Sequence, residues 1–423
     1  MFKYFGIILF FLMMSTPFDF YGVKIFIMIL LFLHRIFIII KKQKLELSKS
    51  IFYWFVTLIF FGFFFSFWSL FFPYSNINNV LKVLPVYFIW PIFYMLLIPY
   101  LLDEELIIIL NKTMVMASLF ISFYLILAFL SLVGLLPINF DNFTLVKPIL
   151  GRSESVEAQL FMPAVTALLF LNPFLLTNIL LSSHKKIRMP NIVVFCSFIL
   201  TTIAILVTGR RSLMLNVLIS PVVIWFFFRF AHIKLMPKER KKIVKILILL
   251  AFVGVCTLSY IAYTGLVDLG EFWSFFIKGF DLSSNSDDVG SSERGGQVSL
   301  MLKSWMDNPI LGSGLASSSE YVIRSESSPW MYELSYLALL FQTGIVGIII
   351  YFSLLVWLFI KAIIIVKKNN YYSYIIPVFI GCFCFLVGCA SNPYLQAFDH
   401  MWAIFLPAGL INYCNKNPLK GIE

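Results

Sequence analysis

Apolar and polar positions fall into long alternating blocks along the chain rather than into the short periods of a soluble fold. Twelve apolar runs appear, at 4–18, 23–40, 51–72, 83–102, 113–134, 159–182, 191–208, 212–230, 243–263, 334–360, 372–391 and 400–414. Each is near the length of a bilayer crossing, for which a helix needs roughly 20 apolar residues. The pattern predicts an all-α polytopic membrane protein with about 12 transmembrane helices and one large external loop. Residues 1–263 hold the first nine spans, 264–333 form the loop, and 334–423 hold the last three spans and a cytoplasmic tail. The N-terminal run MFKYFGIILFFLMM is read as a retained span, because no small-residue cleavage site follows it.

Composition agrees. The 423 residues are 61% hydrophobic and 13% charged, which excludes a water-soluble globular enzyme. The net charge of +11 would suggest nucleic acid in a soluble protein. Placing the N-terminus inside leaves about two thirds of the 32 basic residues on the cytoplasmic side and most of the 21 acidic residues outside. Positive charge sorted in this way fixes orientation, with both termini cytoplasmic, and needs no nucleic-acid partner. The partner it implies is the lipid bilayer. The six cysteines lie in or beside apolar runs, so neither a disulfide framework nor a metal cluster is expected.

The external loop is too long for a plain connection. Its middle, DLSSNSDDVGSSERGG, is polar and glycine-rich and reads as mobile. Its flanks, EFWSFFIKGF and VSLMLKSWMDNPILGSG, space aromatic and aliphatic residues as short helices at the membrane surface would.

Candidate chemistry sits on the external side, in polar groups that helix packing does not require. Arg152, the doublet Arg210–Arg211, Arg294 and Arg324 all run against the positive-inside trend. Arg210 and Arg211 occupy the very short turn TGRRS. A guanidinium fork matches phosphate oxygens, and the start of the following helix offers free N–H groups to an anion. One reading is a diphosphate site; the other is arginine snorkelling to lipid headgroups. Arg294 has the same two faces, the second being pairing with Asp287, Asp288 or Glu293. Glu333 opens the tenth run, where partial desolvation makes a carboxylate a usable general base, although a helix start also favours an acid for its dipole. Asp399–His400 is a further acid–base pair with a capping alternative. Trp273, Trp305 and Trp330 suit stacking on sugars and interfacial anchoring equally. Nucleotide-phosphate loops, zinc-protease motifs and dinucleotide fingerprints are absent from the sequence. The spans hold few charges beyond His34 and Arg35, which counts against an ion-driven transporter.

Taken in order, GRSESVEAQLFMP, TGRRSLMLN, RGGQVSLMLKSWMDNPILGSGL and ELSYLALLFQTGIVG resemble the O-antigen polymerase and ligase superfamily of bacterial surface polysaccharide assembly. The likeness covers most of the chain in architecture and about 140–350 in motif. It implies a membrane-embedded, metal-independent glycosyltransferase of the bacterial inner membrane, with no cofactor. The donor is implied to be an undecaprenyl-diphosphate-linked glycan, and a membrane-bound chain-length regulator is a conceivable partner. On this resemblance Arg211, Arg294 and Glu333 are the catalytic candidates. Arg152, Arg210, Arg324 and Trp305 are the candidates for binding diphosphate and substrate. Ligases of the superfamily carry a histidine–asparagine pair eleven residues before the glycine matching Gly344. Here Glu333 and Leu334 stand there, and 264–333 contain no histidine, which tilts the expectation from ligase to polymerase. A ligase, a flippase or transporter for the same lipid-linked glycan, and a non-catalytic membrane subunit remain the alternatives.

Overall fold

The computed structural model describes residues 2–17, 19–132, 135–137, 149–150, 160–181, 188–231, 289–323, 326–368 and 372–417, with helical positions also at 241, 245, 248, 256 and 259. Apart from a two-residue antiparallel pairing of Ile149–Leu150 with Leu160–Phe161, every regular element among them is helical. Among the described residues seven helical stretches are long and apolar enough to cross a membrane, and Phe2–Ser15, Asn191–Val207 and Ile375–Ser391 are shorter and apolar. The protein is a polytopic membrane protein. Eleven of the twelve apolar runs coincide with helical stretches, and most of the ninth, 243–263, lies outside the described residues.

The chain forms two compact units. The first comprises 1–31, 103–276 and 363–385. In it α1 (Phe2–Ser15) lies along α6 (Glu104–Leu132), with Phe11 against Phe120 and Lys3 bonded to Asp103 and Glu105 at 3.3 and 2.9 Å. Helix α6 starts nine residues before its apolar run, because Glu104 and Glu105 suit the positive end of a helix dipole. Helix α7 (Leu168–Leu180) is buried at every position. It packs against α8 (Asn191–Val207) and α9 (Arg211–Phe230).

Pro173 lies inside α7 and has no N–H for the carbonyl of Leu169. The Asn216 amide of α9 donates to that carbonyl at 2.7 Å instead. In α9 itself, the Ser220 hydroxyl donates to Val217, the carbonyl that Pro221 leaves open. Polar side chains here repair helices that proline interrupts. Asn216→Leu is expected to cost about 1 kcal/mol, since interhelical hydrogen bonds in membranes contribute about that much. A lowered thermal-unfolding midpoint of the detergent-solubilised protein checks it; an unchanged midpoint would mean the carbonyl finds another donor.

The second unit comprises 32–102, 277–362 and 386–423. Helix α2 (Tyr21–Lys42) ends in a turn where Arg35, 3% exposed, bonds Glu46 at 2.9 Å. Burial alone would raise the pKa of Glu46, but hydrogen bonds from Lys42 and Arg35 and their charges outweigh it and hold the carboxyl below its usual value. Arg35, a buried charge of the second apolar run, thus closes a turn between two helices. Helix α3 (Lys49–Trp68) packs on α13 (Trp402–Lys416), the helix after α12 (Tyr372–Gly388), through Phe55 stacked on Phe405. The fourth run is a chain of short pieces: α4 (Ile77–Leu84), a π-helical turn Pro85–Ile89, α5 (Trp90–Leu97) and a 3-10 turn Ile98–Leu102. Pro85 and Pro91 cause the breaks. Pro91 leaves the Tyr87 carbonyl without its helical donor, and Gly62 of α3 abuts that carbonyl so closely that a Cβ would lie 1.9 Å from it.

Candidate functional site

In the first unit, α8 gives way to α9 through Thr208, Gly209 and Arg210. Thr208 closes α8 by donating to Ile205, and Gly209 takes φ +67°, the left-handed conformation that reverses the chain in so few residues. Arg210 caps α9: its backbone is extended and its carbonyl accepts from Leu213 and Met214, both at 3.1 Å. Arg211 is the first residue of the helix. Both arginines are partly buried, and the Nε of Arg211 is shielded from solvent. As at any helix start, the leading N–H groups point out of the helix toward the turn, where an anion is favoured.

The second unit holds the large loop's C-terminal half, and its backbone geometry is the least expected feature of the molecule. Helix α11 (Ser335–Lys368) is broken at Gly344, which takes φ 63° and ψ −170°. The segment after α10 (Val289–Asp307) inserts at the break. Ile345 and Val346 donate their N–H groups to Pro309 and Ile310 at 3.0 and 3.1 Å. The carbonyls of Phe341 and Gln342 accept from Ser313 and Gly314 at 3.1 and 2.6 Å. Leu315 N–H donates on to Phe65 at the end of α3, and the Trp68 indole donates to Gly312. Every backbone group named here that the break frees is taken up by the inserted segment, as a membrane interior demands. The backbones meet because three positions lack a Cβ. One added at Gly344 would lie 2.3 Å from the Ile310 carbonyl oxygen, at Gly312 2.5 Å from Gln342, and at Gly314 2.3 Å from Ser69.

Above this joint the loop is folded on a buried polar network. The Tyr332 hydroxyl accepts from Ser319 N–H at 2.7 Å and donates to Val322 at 3.0 Å. Burial pushes its pKa up to about 12, so it stays protonated as that donor requires. Ser319 also bonds Ser304 of α10 at 2.6 Å, and the Gln342 amide donates to Ser317 and Trp330. Met301, Tyr332, Ala338 and Phe341 form the apolar core beside it. Helix α10 reaches back to Val289 and so includes VGSSERGG, which the sequence reading treated as mobile. Helix formation there must offset three glycines, each costing about 1 kcal/mol against alanine.

Of the sequence candidates, Arg210 and Arg211 belong to the first unit, and Arg294, Trp305 and Glu333 to the second. Arg294 is placed by its backbone, in the second turn of α10. Arg152, Arg324 and Trp273 lie outside the described residues. Trp305 is half-buried against the apolar core and its indole donates to Pro309 at 3.1 Å. Trp330 is buried, with the Lys82 ammonium 5.6 Å from its ring centre, which leaves it little face for a sugar. Glu333 is half-buried two residues before α11, and its carbonyl accepts from Ser335 N–H. The Ser335 hydroxyl donates to Asn392, tying the mouth of α11 to the turn before α13. In that turn Asp399 and His400 are fully buried, with Tyr394 edge-on to the imidazole. The sequence reading missed the broken helix and the Ser304–Ser319–Tyr332–Gln342 network. The signal for the first was present in ILGSGL and QTGIVG, two glycine patterns whose partnership only three dimensions reveal.

Residues 196–352 match the family described as O-antigen ligase. No curated protein and no solved structure matches the chain. The matched stretch runs from α8 through the arginine turn, α10 and the inserted segment to the broken α11. Over this stretch, somewhat more than a third of the chain, the protein is similar to the O-antigen ligase family, which holds membrane glycosyltransferases of surface-polysaccharide assembly, polymerases as well as ligases.

Proposed function

We propose that the protein is a polysaccharide polymerase joining undecaprenyl-diphosphate-linked repeat units at the outer face of a bacterial inner membrane. The full architecture in this reading has twelve spans, cytoplasmic termini, and the loop 264–333 outside with short helices at the membrane surface. The observation that carries polymerase over ligase is the mouth of α11. Glu333 and Leu334 stand there in place of the ligases' histidine–asparagine pair, and the loop has no histidine to replace it.

In the reaction the non-reducing hydroxyl of one lipid-linked unit attacks the anomeric carbon of the donor glycan. A carbon–oxygen bond forms, the bond from that carbon to the diphosphate breaks, and the hydroxyl proton passes to the Glu333 carboxylate. Undecaprenyl diphosphate leaves with the bonding pair. Charge grows on its oxygens in the transition state, and a fixed guanidinium there lowers the barrier without a metal ion. Arg211 and Arg294 take that role. Arg210, which shares the turn, together with Arg152 and Arg324, binds the substrates' phosphates, and the half-exposed Trp305 faces sugar. The loop 264–333 closes over both lipid-linked substrates, with its 309–319 segment anchored at the Gly344 joint.

Deleting the gene and running the surface polysaccharide on a gel tests the assignment. The expected result is loss of the ladder with a single attached repeat retained. Loss of all attached repeats, with lipid-linked polymer accumulating, would identify a ligase instead.

A further inference from the structure

Helix α10 buries Gln297, Met301 and Ser304, three positions along one side, against the body of the second unit. Its outer side is split lengthwise. Ser299, Lys303 and Asp307 make one polar flank, while Leu302 and Met306 make an apolar one that Pro309 and Ile310 continue beyond the helix end. Met306 is 68% exposed and Ile310 65% exposed, values at which a water-facing protein surface seldom keeps adjacent large apolar side chains.

What lies against them is indicated by the neighbouring helix. After its break, α11 exposes Ile345, Val346, Ile349, Val356 and Ile360, a stripe spaced three, four or seven residues apart on the length that crosses the membrane. Ile345 and Val346 are the residues whose amides bond Pro309 and Ile310. The stripe of α11 therefore runs without interruption through Ile310 onto Met306. Lys303 and Asp307, exposed on the polar flank of the same helix, suit the charged headgroup level beside it.

We infer that the Met306–Ile310 edge of the large loop is a membrane-docking surface whose partner is the acyl chains of the leaflet that receives the mouth of α11. The loop's apolar edge lies in lipid and its polar flank in the headgroup layer. Arg294 is then set on the same helix, eleven residues before Trp305 and roughly 16 Å along its axis. This rests on reading α11 as a membrane span, and the experiment separates the two claims.

Spin labels at Met306→Cys, Ile310→Cys, Ile349→Cys and Glu326→Cys, in full-length protein with its native cysteines replaced and reconstituted in phosphatidylcholine–phosphatidylglycerol vesicles, would be probed by two relaxing agents. Oxygen collects in acyl chains and a nickel chelate stays in water. The expected result is an oxygen-to-nickel accessibility ratio at 306 and 310 several-fold above that at 326 and near that at 349. A ratio at 306 and 310 equal to that at 326 overturns the inference, as does protection from both agents, which would mean a protein cover. A low ratio at 349 as well would fall on the spanning assignment of α11. Should the cysteine-free chain not fold, Ile310→Trp in the otherwise native chain serves. In vesicles of brominated phosphatidylcholine, the emission gained over the unaltered protein should be strongly quenched, and unquenched emission overturns the inference.

Discussion

Arg211→Lys is expected to cost almost as much activity as Arg211→Ala, roughly 100- to 1000-fold in rate, and Arg294→Lys likewise. The loss corresponds to about 2.7–4 kcal/mol of transition-state stabilisation, by analogy with removal of one oxyanion donor. Lysine keeps the charge but loses the planar pair of donors that can follow two phosphate oxygens as the bond to the sugar lengthens. Arg211 is suited to the role by its place as the first residue of α9, where the helix start adds its own attraction for an anion. An arginine that merely anchors the helix in lipid headgroups would behave otherwise, because lysine snorkels as well. Arg229, exposed in the last turn of the same helix, supplies the control: Arg229→Lys should retain full activity. The assay is polymer formation at matched protein levels with EDTA present. Near-normal rates in both lysine variants would remove the diphosphate role from these residues.

A single methyl group at the α11 joint is expected to be nearly as damaging, through folding rather than chemistry. Gly314→Ala and Gly344→Ala each combine a left-handed backbone, at φ +94° and +63°, with a Cβ 2.3 Å from a neighbouring main-chain atom. The backbone term costs about 1–2 kcal/mol and forced overpacking about 1–3, so a loss on the order of 4 kcal/mol is expected. Neither neighbour can yield, since Ile310 and Ser69 belong to the backbone segments that the joint holds together. Separating them would also leave the N–H groups of Ile345 and Val346 without acceptors in an apolar setting. Fluorescence-detected size-exclusion chromatography with a heating series reads the effect. Gly6→Ala is the comparison, because a Cβ there meets nothing within 4 Å. Gly344→Ala unfolding at the same temperature as the unaltered protein would contradict the assignment of the break.

Much of this molecule is legible in its sequence because a bilayer leaves few choices. An apolar run such as 212–230 must be a helix if it lies in lipid, and α9 covers Arg211–Phe230. The doublet Arg210–Arg211 could be placed at a helix start from TGRRS alone, since Gly209 supplies the one conformation so short a turn needs. What could not be read is pairing between distant backbones. Hydropathy sees 334–360 as one uninterrupted run, because the broken α11 is as apolar as an intact helix would be. The break is written in Gly344, Gly312 and Gly314 together, and nothing local to any of them names the other two. Pro173 and Pro221 each leave one carbonyl open inside a continuous helix, and the choice of Asn216 to repair α7 depended on packing. The end of the polar stretch, 289–296, is helical for a related reason. A polar, glycine-rich composition says how weakly a segment folds alone, and the helix that includes it is held through Met301 and Ser304 farther along α10.

The most direct measurement reconstitutes the purified protein in vesicles with undecaprenyl-diphosphate-linked single repeat units as the sole glycan and EDTA throughout. The expected result is a ladder of chains still attached to the lipid, with one undecaprenyl diphosphate released for each linkage formed. No chain beyond a single repeat, together with transfer of preformed polymer to an added lipid-core acceptor, would contradict the polymerase assignment and make the protein a ligase.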